Sequence, residues 1–242
     1  MQNITEYISS YKYKIELHAH TGPCSGCSKI CPTDLIYHLK RQGFDAVVLT
    51  NHFFYDHGNY REAPDPIDEY LKDFYECCNV GEKEGVRVFL GAEYRFLESK
   101  NDYLIYGIDE NFLRSTYSLS SLTLETFYKE FHSDDLLIIE AHPFRESCGC
   151  SPVSPDFIDG IEIMNTHPLK MSQNALAAKY AKDNGISIVT VGGDLHNNAH
   201  IGLSSLRTRV LPKDEKELVK VLRSRDYIFE IGGYPMIAHP IQ

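Results

Sequence analysis

Seven short apolar runs are spread along this chain, and most of them stop at a residue able to bind a metal. Ile15-Glu16-Leu17-His18-Ala19-His20 is the first, and Ala46-Val47-Val48-Leu49-Thr50-Asn51-His52 is the second. Val88 to Glu93, Leu137 to His142, and Ile188 through Asp194-Leu195-His196 repeat the arrangement. Two weaker runs complete the set: Tyr103 to Tyr106, which starts after Asp102, and Gly160 to Met164, which leads into Asn165. Runs of this length bounded by turn residues read as strands, and helix-like segments lie between them. Strands alternating with helices predict a parallel sheet with helices outside. The C-terminal ends of parallel strands then share one face, where barrel enzymes keep their active sites. The candidate ligands fall at those ends, so pattern and chemistry agree on a barrel-like α/β fold.

The helix signals fit this reading. Thr33 or Asp34 is placed to cap a helix running to Gln42, with Gly43 ending it. Pro66 opens a helix through residue 84. Further helices are predicted near 123–132, 172–184 and 213–224, the last followed by a strand at 227–231. Residues 53–66 and 143–159 read as long loops. No composition shift divides the 242 residues, so one domain over 1–242 is expected.

Bulk properties narrow the function. A net charge of −10 disfavours an extended nucleic-acid surface, which needs clustered Lys and Arg. A short nucleotide stays compatible, because bound cations can supply the local positive charge. No run is long enough to span a bilayer. Met1-Gln2-Asn3-Ile4 lacks the basic start and apolar core of a signal peptide, so a cytoplasmic location is the default expectation. Seven cysteines, an odd number, are expected as reduced thiols.

His18 and His20 lie two apart on a strand, on one side of it and about 7 Å apart at their Cα atoms. Two imidazoles so placed converge on one cation. Asp194 and His196 share the spacing and add a hard oxygen. Glu93 follows Gly91-Ala92, which leaves room for a carboxylate that bridges two cations, with His52 and His142 completing a second coordination sphere. Mixed imidazole and carboxylate ligands suit zinc, manganese or iron better than calcium or magnesium.

In order, Glu16-Leu17-His18-Ala19-His20-Thr21, Leu49-Thr50-Asn51-His52, Gly91-Ala92-Glu93, Ala141-His142-Pro143 and Gly193-Asp194-Leu195-His196 resemble the successive motifs of the PHP (polymerase and histidinol phosphatase) superfamily. The resemblance covers about residues 13–200. It implies a distorted (β/α)7 barrel, two or three divalent metal ions and hydrolysis of a small phosphorylated metabolite or nucleotide. It further implies that His18, His20, Glu93 and Asp194 hold one ion, that Glu93, His52 and His142 hold another, and that His196 meets a third ion or the phosphate. His196 or Asp194 would relay a proton, and Arg145 would either clamp a substrate phosphate or be a solvated loop arginine. Three departures stand out. Asn51 replaces the family's usual Asp, Cys24-Ser25-Gly26 occupies a stretch where the family tends to carry Asp or His, and a family His near the fourth strand has no match beyond nearby Asp102 and Tyr103. Glu162 and Asn165 match a family Glu-x-x-Asn strand end.

Alternatives follow from other residues. An amidohydrolase-like metal hydrolase could use the same ligands. Cys24, Cys27 and Cys31 have the spacing of a zinc or iron–sulfur site and would suit a non-catalytic redox or metal-sensing domain, or else are reduced thiols packed in a small-residue loop. Cys148-Gly149-Cys150 sits in the loop after His142. Phe53 to His57 would wall the barrel mouth, Lys29 is a second candidate phosphate contact, and His57, His167 and His239 read as polar loop histidines.

Overall fold

The computed structural model describes residues 3–54, 59–117 and 122–238, which leaves residues 55–58, with His57, residues 118–121, and His239 outside the described residues. A short helix α1 (Ile4–Ser9) precedes strand β1 (Tyr13–Ala19), helix α2 (Pro32–Arg41), strands β2 (Ala46–Leu49) and β3 (His52–Phe54), and the long helix α3 (Pro66–Glu84). Strands β4 (Arg87–Leu90), β5 (Ala92–Arg95) and β6 (Asp102–Tyr106) follow, then α4 (Glu110–Tyr117), α5 (Leu124–Phe131) and β7 (Leu137–Ala141). The chain continues through β8 (Gly160–Asn165), α6 (Asn174–Asp183), β9 (Ile188–Gly192), β10 (Ser204–Thr208), α7 (Glu215–Ser224), β11 (Tyr227–Ile231) and β12 (Tyr234–Met236).

Hydrogen bonding orders the strands as β12-β11-β10-β1-β2-β4 and as β3-β5-β6-β7-β8-β9. The chain passes from the first sheet into the second twice, from β2 to β3 across Thr50-Asn51 and from β4 to β5 across Gly91, and it returns between β3 and β4 and between β9 and β10. A Cβ on Gly91 would lie 2.8 Å from Val48 Cγ1, so the bend needs a glycine. The circuit closes where Ala19 bridges Leu195 in parallel: His20 N–H donates to Leu195 O and Leu195 N–H to His18 O, both at 3.1 Å. The result is the distorted (β/α)7 barrel expected from sequence.

Its distortion has a local cause. β6 runs antiparallel to both β5 and β7, with Asp102 opposite Arg95 and Ala141. The expectation of an all-parallel circuit is corrected there, and also at β10 to β12, which add an antiparallel flank to β1. Ser204-Ser205-Leu206-Arg207-Thr208 lacks an apolar run, so sequence periodicity passes over β10.

The helices were more legible, although α2 begins at Pro32 and is capped by Cys31 and not by Thr33 or Asp34. Asp65 caps α3 by accepting from the N–H groups of Ile67 and Asp68, and Gly85 ends it in the left-handed conformation. Thr123 and Thr126 form a reciprocal cap on α5. Leu35, Ile36, Leu39 and Cys77 from α2 and α3 pack against Val47 and Leu49, which removes one face of both helices from water. No helix among the described residues is long and apolar enough to cross a membrane.

Candidate metal centre

His18 lies near the end of β1, His20, His142, Asp194 and His196 follow the ends of β1, β7 and β9, and His52 and Glu93 lie at the starts of β3 and β5; two irregularities aim them. The pairing of β1 with β2 shifts register between Glu16 and Ala19, and that of β8 with β9 shifts between Glu162 and Met164. Such bulges re-aim side chains beside functional sites. His142 and Asp194 adopt positive φ, +30° and +51°. Left-handed backbone is unusual outside glycine and costs of order 1 kcal/mol or more, so both strand ends are held there by their surroundings. Gly192 lets the last strand approach closely: a Cβ there would lie 2.3 Å from Glu162 Oε1 and 2.6 Å from His18 Cβ.

Glu93 is the hub. Its Oε1 lies 3.1 Å from His142 Nε2 and 3.4 Å from His18 Nε2. Its Oε2 lies 2.7 Å from His52 Nδ1 and 3.4 Å from His20 Nε2. Asp194 faces it across the histidines, with Oδ1 3.6 Å from His18 Nε2, 3.5 Å from His20 Nε2 and 3.1 Å from His196 Nδ1. Three groups of ligand atoms lie within 4.8 Å of one another: His18, His20 and Asp194; His18, Glu93 and His142; and His20, His52 and His196. All seven residues named from sequence as ligands therefore fall in one place. Their distribution differs in one respect from the expected one. His52 and His142 approach opposite oxygens of Glu93, and His52 groups with His20 and His196 instead.

The donors fit cations. Buried polar atoms are nearly always hydrogen-bonded. Here His18 Nε2 and both ring nitrogens of His20 make no hydrogen bond, although both residues are fully buried. The charge balance says the same. Burial alone would lower His18, but Asp194, Glu162 and Glu93 outweigh it and hold its imidazole well above the usual range. Burial, with the neighbouring His196 and His52, pushes His20 well below it. Burial opposes ionisation of Glu93 and Asp194, yet the surrounding imidazoles hold both carboxyls well below the usual carboxylate range. Two buried carboxylates facing this many imidazoles form a socket for positive charge.

Supporting groups fix the ligands. Glu162 Oε1 lies 3.1 Å from His18 Nδ1, and its Oε2 accepts from His142 N–H at 3.0 Å and Asn165 Nδ2 at 2.9 Å. Glu16 accepts from Gly193 N–H at 2.8 Å and His18 N–H at 2.9 Å. Asn51, the departure from the family's Asp, accepts from Thr21 N–H and Ser25 Oγ and donates to Thr21 Oγ1. It ties down the loop after β1, a task that uses both ends of an amide.

Arg145 is buried, and its Nη2 donates to Asp194 Oδ2 at 2.5 Å and Asn165 Oδ1 at 2.7 Å. That part of the guanidinium is committed to the candidate ligand Asp194. The centre opens into a cavity of about 650 Å³ lined by, among others, Lys29, Arg95, Asp102, Arg145, His167 and Lys170. His167 is buried against His196, with ring centroids 5.3 Å apart, rather than a free loop residue.

Two contributors escape periodicity. Asp102 reaches the cavity, 3.9 Å from His142 Nε2, because the reversed β6 begins where its neighbours end. Cys27 Sγ stands 3.0 Å from His52 Nε2 and 3.1 Å from His196 Nε2. Burial raises its thiol, but those imidazoles prevail and bring it down to about 6. Its two sequence companions go elsewhere. Cys24 is buried in an apolar cluster with Phe53 and Tyr70, and Cys31 Sγ caps α2 at Asp34 N–H. Among the described residues, Cys24, Cys27 and Cys31 form no common ligand group.

Fold and side chains define an α/β barrel with a cluster of candidate metal ligands, and comparison with known proteins gives its family. The family profile of the PHP domain matches residues 16–232, and the chain belongs to that family. Among solved structures, it is similar to a two-domain protein from Bacteroides vulgatus containing a predicted PHP-like metal-dependent phosphoesterase, at 15% identity and a TM-score of 0.60 over 90% of this chain and 64% of that one. It is also similar to PsfC from Pseudomonas syringae, at 15% identity and a TM-score of 0.57 over 86% and 87% of the two chains. A protein from Bifidobacterium adolescentis, provisionally named a metal-dependent phosphoesterase, matches at 12% identity and a TM-score of 0.51 over 88% and 96%. The chain thus spans less than two thirds of the first of these relatives. Comparison with curated proteins finds no match.

Proposed function

We propose that this chain is a metal-dependent phosphoesterase, acting as one catalytic unit over residues 1–242 on a small phosphorylated metabolite or nucleotide. The observation that carries the reading is Glu93, whose two oxygens face different sets of imidazoles. A carboxylate so placed would be shared by two cations. His18, His20, Glu93 and Asp194 would hold one, and Glu93 and His142, with Asp102 alongside, a second. When bound, a cation pair neutralises phosphoryl oxygens and makes a water acidic enough to attack near neutral pH.

The chain's own groups supply the rest. Arg145 fixes the Asp194 carboxylate and brings a permanent positive charge to the cavity wall. Lys29 and Lys170 add charge at the mouth, which suits an anionic substrate in a protein of net negative charge. Leu169 N–H donates to His167 Nδ1, so the ring proton of neutral His167 sits on Nε2 and is available to a phosphate or leaving oxygen. A cavity of about 650 Å³ suits a small molecule and not a polymer.

Protein stripped of metal and reloaded with manganese, zinc or iron should hydrolyse members of a panel of phosphomonoesters, nucleotides and short oligonucleotides. Glu93→Gln should lower turnover by at least about 100-fold, since even groups that only support a ligand are worth about 10- to 100-fold. No turnover of any panel member at full metal occupancy would overturn the reading. Hydrolysis of amides or lactones in place of phosphates would move the chain to an amidohydrolase-like chemistry.

A further inference from the structure

We infer that Cys27 is a thiolate ligand for a divalent cation, shared with His52 and His196, at the outer side of the centre. The inference rests on the metal-binding reading above and adds to it a ligand of different chemistry. Cys27 Sγ faces the Nε2 atoms of both histidines, at 3.0 and 3.1 Å. In each ring the other nitrogen is already directed: His52 Nδ1 toward Glu93 Oε2 at 2.7 Å, and His196 Nδ1 toward Asp194 Oδ1 at 3.1 Å. A carboxylate on one imidazole nitrogen fixes the ring so that the second can bind metal.

His20 closes the inner side. Its ring centroid lies 4.5 Å from that of His52 and 4.4 Å from that of His196, and nitrogens of the three rings form one close ligand group. It is fully buried and neither of its ring nitrogens makes a hydrogen bond. The sulfur thus meets the Nε2 atoms of His52 and His196, and the His20 ring lies close to both of those rings.

The spacing suits an ion. Metal–sulfur and metal–nitrogen bonds of about 2.3 and 2.0 Å at a tetrahedral angle put the two donors roughly 3.6 Å apart. The observed sulfur–nitrogen separations are shorter, so seating a cation requires only a small outward movement of an exposed side chain. The loop is also held in register for it. His52 N–H donates to Ser25 Oγ at 2.9 Å, and Lys29 N–H donates to His196 O at 2.9 Å. The Ser25 side chain before Cys27 and the Lys29 backbone after it are thus tied to the two residues whose imidazoles Cys27 faces.

A thiolate changes which ion is favoured. Sulfur selects zinc, iron or cobalt over manganese and magnesium, while the mixed carboxylate and imidazole set around Glu93, which holds no sulfur, also accepts the harder ions. The outer position would then hold a softer ion than the inner ones.

Cobalt(II) titration of the full metal-free chain tests this directly. A sulfur-to-cobalt charge-transfer band should appear in the near ultraviolet and saturate at one equivalent per chain. Cys27→Ala should lose the band and one equivalent of bound cobalt. Cys27→His should keep the equivalent without the band, and Cys31→Ser should keep both. Wild-type protein that binds cobalt with no such band would overturn the assignment and leave the inner sites standing. A band that persists in Cys27→Ala would overturn it as well. Failure to bind cobalt at all would remove the metal-binding reading with it.

Discussion

One carboxylate outside the ligand set serves two ligands at once. Glu162 orients His18 through the ring and His142 through the backbone, from a strand that carries neither. Glu162→Gln should weaken metal binding by roughly 10- to 100-fold, read by competition against a chromophoric chelator, because an amide cannot accept at both ends. Unchanged affinity would show that the ring is held by packing alone. At this scale the apolar pattern was informative about candidate ligands and silent about their supports, Glu162 and Asn165 being marked by the family resemblance alone. His18, His20, Glu93 and Asp194 each end an apolar run, and that signal survives bulges and strained backbone because it needs only order along the chain. Glu162 lies inside a run, next to a register shift, where strict alternation fails. Cys27 lies in a loop, and nothing in its spacing told it apart from Cys24 and Cys31.

Among the elements, β6 departs furthest from expectation, and its clue was a length. Residues 96–101 alone join β5 to β6, too few for a parallel crossover, which takes about a dozen residues or more. The reversed strand places Asp102 at the cavity and Asn101 beside Glu140 on β7. Burial pushes Glu140 up to about 8, against hydrogen bonds from Val153 N–H and Asn101. The folded chain thus keeps a proton between the ordinary value of 4.5 and about 8 that the unfolded chain has released. Stability contributed by this group is present below the lower value and lost as pH rises to the upper one, an effect of order a few kcal/mol. Glu140→Gln should flatten that fall, measured by denaturant unfolding at pH 5 and pH 8. An unaltered pH slope would mean that Glu140 ionises normally.

For the whole molecule, bound cations and the fold should depend on each other. A ligand held only by the native state stabilises it by about 2.7 kcal/mol when present at about a hundred times its dissociation constant. Chelation should therefore lower the melting temperature, and readdition of metal should restore it; a melting temperature indifferent to chelator would argue against cations held in the native centre. The barrel itself was legible because most of its strands are buried and apolar. The antiparallel flank was not, since its first strand, Ser204–Thr208, gains its burial from neighbours that periodicity does not reveal. The place where the circuit closes carries a last consequence. Ala19 and Leu195 meet there, and each stands between two candidate ligands, His18 with His20 and Asp194 with His196. The seam of the barrel and the socket are the same few residues, so an ion gripped from both sides would act as a clasp. Its removal should loosen the seam first, with the His20 and Leu195 amides among the earliest to exchange with deuterium.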